Sequence, residues 1–254
     1  MCLIFISLHN HPNYKLIVAG NRDEFYDRKT EAANYWRDYP QILGGRDLKA
    51  GGTWLGVTKS GKISMLTNYR DPSNINPAAP SRGQLVSDYL KTDVTGESYM
   101  LEIEKNGKAY NGFNLILGSP EELWYYSNYR EGVTKLAPGF YGLSNHLLES
   151  PWPKVLRGRQ KIAPALSQSI VDPEQLFEIL YDDLVADDDK LPNTGLPLER
   201  ERALSSMFIK TPNYGSRCST VVLVDRSDNL FFAERVYDLQ SFEYKTSAFS
   251  FPIQ

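Results

Sequence analysis

Ser219-Thr220-Val221-Val222-Leu223-Val224 is the stretch that decides the fold. Its apolar residues fall on consecutive positions rather than alternate ones, so a strand here needs cover on both faces. Arg226-Ser227-Asp228 then reads as a turn, and residues 229–234 as the returning strand of a hairpin. Other strands read the same way. Residues 2–8 and 14–21 flank the turn-forming His9-Asn10-His11-Pro12-Asn13, whose two histidines are expected at the surface. Residues 53–58 and 62–68 flank Ser60-Gly61, and residues 113–117, 123–126, 133–136 and 140–145 continue the pattern. Helices are expected over residues 84–90 with Ser81 as cap, 97–104, 152–166, and 173–184 with Asp172 as cap. Residues 22–52 are polar, aromatic and glycine-bearing, with Gly44-Gly45 and Gly51-Gly52, and read as a long ordered loop. The acidic stretch 182–189 reads as a solvated helix end.

Strands joined by hairpin-length turns, interrupted by groups of helices, argue for antiparallel sheets with helices outside them. The doubly covered strand at residues 219–224 needs two such sheets face to face. The expected class is α+β: a four-layer αββα sandwich formed by a single domain, residues 1–254. No internal repeat or linker divides the chain.

Composition narrows the function. The chain has 254 residues, 41% hydrophobic and 12% aromatic, enough for a sizeable core. Net charge is −3 and no basic stripe occurs, which argues against nucleic acid as a partner. Two cysteines, Cys2 and Cys218, make no disulfide framework and fit a reducing compartment. No apolar run approaches the roughly 18 residues of a membrane span. The opening MCLIFISLHN has no basic leader region and no cleavage site, so a cytoplasmic protein without a transmembrane segment is expected. Nothing in the sequence sets an oligomeric state. No His/Cys spacing suggests a metal.

Cys2 draws attention by position. Removal of Met1 would make it the N-terminus, with its own base at hand: an α-amine titrates near about 7.7–8.0. A nucleophile paired with an N-terminal amine is a known catalytic arrangement. Position alone favours the plainer reading, a small buried hydrophobe at the start of a strand. Asn21-Arg22-Asp23-Glu24 closes the second strand, which a hairpin returns beside Cys2. Four polar residues in a row break the alternation expected of a strand. A carboxylate there can hold an ammonium, and an arginine can stabilise a thiolate.

Met1-Cys2 followed by Asn21-Arg22-Asp23-Glu24 resembles the NRDE family, also called the transport and Golgi organisation protein 2 family. Gly51-Gly52-Thr53-Trp54-Leu55-Gly56, Thr67-Asn68-Tyr69-Arg70, Ser81-Arg82-Gly83, Gly142-Leu143-Ser144-Asn145-His146 and Ser216-Arg217-Cys218-Ser219-Thr220 resemble it in the same order. That family is similar in layout to cysteine N-terminal-nucleophile amidases such as penicillin V acylase and bile salt hydrolase. The resemblance implies Cys2 as nucleophile, Asp23 as holder of its α-amine, Asn145 as an oxyanion donor, Arg217 near the thiolate, and Asn68 near a second, backbone donor. Those amidases keep an arginine three residues before the aspartate, where this chain has Gly20. Arg22, two positions on and on the same strand face, is the candidate to replace it.

Two readings follow. In one, the chain is a cysteine amidohydrolase acting on a small amide or acyl compound, with no cofactor required. In the other, which the resemblance also implies, it binds and traffics haem or an acyl lipid. Trp54, Tyr69 and His146 are then the ligand-binding candidates, beside the bland alternative of core packing.

Overall fold

The computed structural model describes residues 2–254. Met1, whose removal the nucleophile reading requires, lies outside them. The strands are β1 (Cys2–Leu8), β2 (Tyr14–Phe25), β3 (Thr30–Tyr35), β4 (Ile42–Asp47), β5 (Leu55–Thr58), β6 (Ile63–Asn68), β7 (Phe113–Ser119), β8 (Glu122–Ser127), β9 (Thr134–Lys135), β10 (Gly139–Leu143), β11 (Tyr214–Asp225), β12 (Asn229–Tyr237) and β13 (Tyr244–Pro252). The helices are α1 (Gly83–Lys91), α2 (Gly96–Asn106), α3 (Pro153–Leu166), α4 (Pro173–Leu180) and α5 (Leu198–Ala203).

Two antiparallel sheets stack face to face. One is six-stranded, in the order β10-β1-β2-β11-β12-β13; the other is seven-stranded, β3-β4-β5-β6-β7-β8-β9. Ile4, Val18 and Val222 from the first sheet meet Leu43, Met65 and Ile116 from the second in one buried cluster. The opposite faces carry helices. Leu3, Phe5, Val221 and Leu223 pack with α3 and α4, while Leu66, Leu115 and Leu117 pack with α1 and α2. The result is the four-layer αββα sandwich. β11 is a central strand, and residues 219–224 are buried throughout, as their consecutive apolar side chains require.

Several local expectations are corrected. Residues 22–52 are not one loop but contain the end of β2, then β3 and β4. The β4 glycines are close-approach positions inside a sheet. A Cβ on Gly44 would lie 2.7 Å from the Leu55 carbonyl oxygen, and one on Gly45 would lie 2.2 Å from the Trp54 ring. Ser81 makes no side-chain cap on α1, whose N-cap is Arg82; Asp172 does cap α4, accepting from Glu174 N. That helix stops at Leu180, so the acidic residues after it lie beyond its end. Its Asp182 accepts from Arg157 at 2.7 Å and ties the segment to α3. His11 is buried, bonding Gln168 O through Nε2 at 2.8 Å, while His9 is half-buried. β13 is an edge strand with no sequence expectation behind it. Among the described residues no helix is long and apolar enough to cross a membrane, a statement that does not cover strands.

Candidate active site

The first sheet aligns the site by register. Cys2 on β1 and Cys218 on β11 both lie opposite Arg22 on β2, and directly opposed residues share a face. All three therefore point toward the second sheet. The polar run at the end of β2 splits by alternation. Asn21 and Asp23 face the helices; Arg22 and Glu24 face the second sheet. Asn21 is structural, donating to Leu180 O at 2.8 Å and Met207 O at 2.9 Å and accepting from Ser219 Oγ at 2.6 Å.

Cys2 and Asp23 meet at a cleft of about 390 Å3. Its charged side chains are Arg22, Glu24, Arg28, Asp47, Lys49 and Arg82; Trp54 and Asn68 also line it. Cys2 is buried, and burial pushes its thiol above the ordinary range, with Asp23 adding to the rise and Arg22 opposing it. Asp23 is shut away from solvent, and burial likewise raises its carboxyl, opposed by Lys154 and by the Ser216 hydroxyl. Ser216 reaches it because β11 carries an irregularity between Ser216 and Cys218.

Arg22 is buried with its guanidinium 4.2 Å above the Trp54 ring, and Glu24 and Asp47 lie at 3.8 Å. Its Nη1 has no hydrogen-bond partner among the described residues. Gly20 carries no arginine for a steric reason: an added Cβ would lie 2.7 Å from the Leu3 carbonyl oxygen.

Asn68 and Asn145 join the two sheets. Asn145 Nδ2 donates to Asn68 O at 2.9 Å, Arg70 N donates to Asn145 O at 2.7 Å, and Ser144 Oγ donates to Cys2 O at 3.3 Å. Asn145 itself is fully buried and, unlike Asn68, is not among the residues that line the cleft. Arg217 is placed differently from what the resemblance implies. Its Nη1 donates to the carbonyls of Phe25 at 2.8 Å and Arg28 at 2.7 Å, bracing the turn after β2. It lines a separate chamber of about 90 Å3 with Cys218 and Glu234, behind Trp54. Tyr69 and His146 do not line the cleft. Tyr69 stacks on Tyr129 at 3.9 Å, and His146 lies 4.9 Å from Tyr69 and 5.8 Å from Trp152. His146 Nδ1 is bonded to Ser150 Oγ at 2.7 Å.

Sequence reasoning passed over several residues. Arg28 and Asp47 pair at 2.5 Å on the cleft wall, inside what read as loop. Ser216 and Arg82 sit within quoted motifs but had no role. Lys154, 1% exposed, and the Arg70–Glu201 pair, at 2.5 Å, lie behind Asp23. The signal for Lys154 was there. It lies one turn before Gly158 and two before Ile162, both on the apolar face of α3.

Residues 1–239 match the family model described as Transport and Golgi organisation 2. The chain belongs to that family. Within the Transport and Golgi organisation 2 family, the Homo sapiens homolog is 36% identical over 276 residues, covering all of both chains. The Bos taurus homolog is 40% identical over 257 residues, 92% of each, and the Drosophila melanogaster protein 33% over 268 residues, 92% of this chain and 91% of that one. Two solved structures share the fold. The C2A mutant of conjugated bile acid hydrolase from Clostridium perfringens superposes with a TM-score of 0.51 at 9% identity, over 98% of this chain and 97% of that one. The Caenorhabditis elegans N-acylethanolamine-hydrolyzing acid amidase ortholog gives 0.50 at 13% identity, over 87% and 92%. The chain therefore shares the fold of these two hydrolases.

Proposed function

We propose that the chain is a cysteine amidohydrolase acting on a small amide or related acyl compound, with Cys2 as nucleophile once Met1 is removed. The observation that carries this is the buried pair at the cleft, Cys2 on β1 with the Ser216-held Asp23 on β2. Burial keeps the thiol protonated at neutral pH, so attack needs a base beside it, and the freed α-amine of Cys2 is that base. The amine takes the thiol proton, and the thiolate attacks the acyl carbon. Asp23 holds the resulting ammonium. Asn145 uses one amide N–H on Asn68 O and keeps a second for the oxyanion. Collapse of the tetrahedral adduct breaks the C–N bond, the ammonium protonates the departing amine, and a thioester remains. Water, deprotonated by the same amine, releases the acid and restores the thiol.

The charged cleft wall suits a polar or ionised substrate. The rival reading, a carrier of haem or an acyl lipid, draws on the ring cluster of Tyr129, Tyr69, His146 and Trp152. Tyr69 is stacked on Tyr129, and His146 stands outside the cleft that holds Cys2, so the residues present do not fit an iron ligated by His146 from within the cleft. The test has two arms. Intact mass first establishes that Cys2 is the N-terminus. The protein and its Cys2→Ser variant are then incubated with acyl amides and thioesters, and peptide mass spectrometry looks for an acyl adduct on Cys2. Neither turnover nor adduct from a protein with a free Cys2 sinks the hydrolase. Haem titration of wild type, Cys2→Ser and His146→Ala tests the carrier.

A further inference from the structure

Lys154 is 1% exposed, and its Nζ has no hydrogen-bond partner among the described residues. A buried, unpaired ammonium is costly, so its surroundings decide what it is for. α3 is pressed directly on β1: a Cβ at Gly158 would lie 2.0 Å from the Phe5 ring. Lys154 is one turn earlier on the same helix face, so it too points at the sheet. β10 ends beside Cys2, where Ser144 bonds the Cys2 carbonyl, and α3 begins soon after. The first turn of α3 therefore sits over the Cys2 end of β1.

Four charged or titratable groups act on Lys154 electrostatically: Asp23 from β2, Arg70 from the segment after β6, Cys2 from β1, and Glu201 from α5. Tyr214 on β11 adds a phenol that feels Asp23 and Arg70. Two of these are committed to each other. Glu201 takes the Arg70 guanidinium at 2.5 Å and also accepts from the Thr194 backbone N–H at 3.1 Å and from the Thr194 hydroxyl. The Arg70 guanidinium lies 4.6 Å from the ring of Trp152, two residues before Lys154 in the chain. Glu201 is thus matched by Arg70, and Asp23 is the acid that acts most strongly on Lys154.

We propose that Lys154 is a positioning residue of the Cys2 centre, a buried counter-charge that keeps Asp23 ionised in a site too dry to do so alone. On the hydrolase reading, which this step rests on for its catalytic meaning, Lys154 thereby holds Asp23 ready to bind the α-ammonium of Cys2. The fold leaves no room for a cation at Gly20, and α3 supplies one from the other face of the sheet. The electrostatics agree in both directions. Burial lowers Lys154 to about 8 while Asp23 pulls it up. Burial raises Asp23, and Lys154 is the leading influence against it.

The test reads Asp23 directly and needs no substrate. The side-chain carboxyl carbon of Asp23 is followed by NMR against pH in aspartate-labelled protein, assigned with Asp23→Asn. Lys154→Met should move the Asp23 midpoint upward by about one unit or more, and Lys154→Arg should leave it near wild type. A midpoint unmoved by Lys154→Met, in protein with an unchanged circular dichroism spectrum, overturns the proposal. If Lys154→Met does not fold, the pair is read from its other side. Asp23→Asn should then lower the titration midpoint of the Lys154 side chain, and no movement overturns the proposal. Acylation of processed Cys2 by an activated ester is measured in parallel. Its acid limb should shift up with Asp23. No acylation in wild type would count against the hydrolase reading, while the NMR titration would still decide the role of Lys154.

Discussion

Ser216 Oγ donates to Asp23 Oδ1 over 2.6 Å, and both residues are closed off from solvent. The same hydroxyl accepts from Ile209 N at 2.9 Å, so one atom ties the carboxylate to the segment before β11. A donor aimed at a carboxylate favours its charged form, and here that opposes burial.

Ser216→Ala removes this support. We expect a loss of about 2 kcal/mol in stability at pH 7, the scale of a hydrogen bond to a charged group. Asp23 should also become harder to ionise. Urea unfolding at pH 7 checks the first effect. A variant as stable as wild type contradicts it.

Trp54 is the wall between the Cys2 cleft and the Cys218 chamber. Trp54→Ala should cost about 3 kcal/mol and strip the ring from Arg22. It should also open Cys218, which is buried in wild type, to iodoacetamide. Peptide mass spectrometry distinguishes Cys218 from Cys2, and we expect labelling of Cys218 to speed at least about tenfold as the chamber opens. Unchanged labelling would show that the wall lies elsewhere.

Glu234 is 1% exposed, bonds Ala33 N at 2.7 Å, and leaves Oε2 without a hydrogen bond of normal geometry among the described residues. Burial raises its carboxyl to about 7 from an ordinary 4.5, with the Ala33 N–H and Cys218 opposing the rise. The folded state thus holds a proton that the unfolded state loses between these values. Stability from this group is full below about pH 4.5 and falls as pH rises through about 7, by roughly 3 kcal/mol at most. Glu234→Gln should flatten that part of the stability–pH curve and gain most at pH 8. Thermal melts of both proteins from pH 5 to 8 decide it, and parallel curves refute the assignment.

Gly20→Ala places a Cβ against the Leu3 carbonyl oxygen, a backbone atom that cannot turn aside. Destabilisation of about 1–3 kcal/mol is expected, read as a lower melting temperature. An unchanged melt would mean that β1 and β2 can part without cost.

The layer order was legible because it rests on a strong signal, the consecutive apolar residues 219–224 with hairpins on every side. β4 was not, because its glycines serve close approach to Leu55 and Trp54, and a glycine pair reads as a turn without its neighbours. The convergence of Cys2 with Asp23 followed from a single hairpin and was within reach of the sequence. The place of Arg217 was not. A bulge at Ser216–Cys218 shifts the register by one residue, and with it which side chain reaches Asp23. Lys154 could have been placed on the buried face of α3 by its spacing to Gly158 and Ile162, but how close that face comes to the sheet could not, since it depends on Gly142 and Gly158 letting α3 settle there: a Cβ at Gly142 would lie 2.7 Å from the Val155 side chain.

Cys2 and Cys218 are in register with the same residue, Arg22, on opposite sides of β2. Neighbouring strands are about 4.7–4.9 Å apart, so the two thiols are separated by two such steps, beyond the reach of a disulfide, which needs Cα atoms within about 7 Å. Bridging them would require pulling β2 out of the sheet. Under oxidative stress the two sulfurs therefore act independently. Cys2 has no resolving partner within its own sheet, and its sulfenic acid would persist until an outside thiol such as glutathione capped it or further oxidant carried it to the irreversible sulfinic stage.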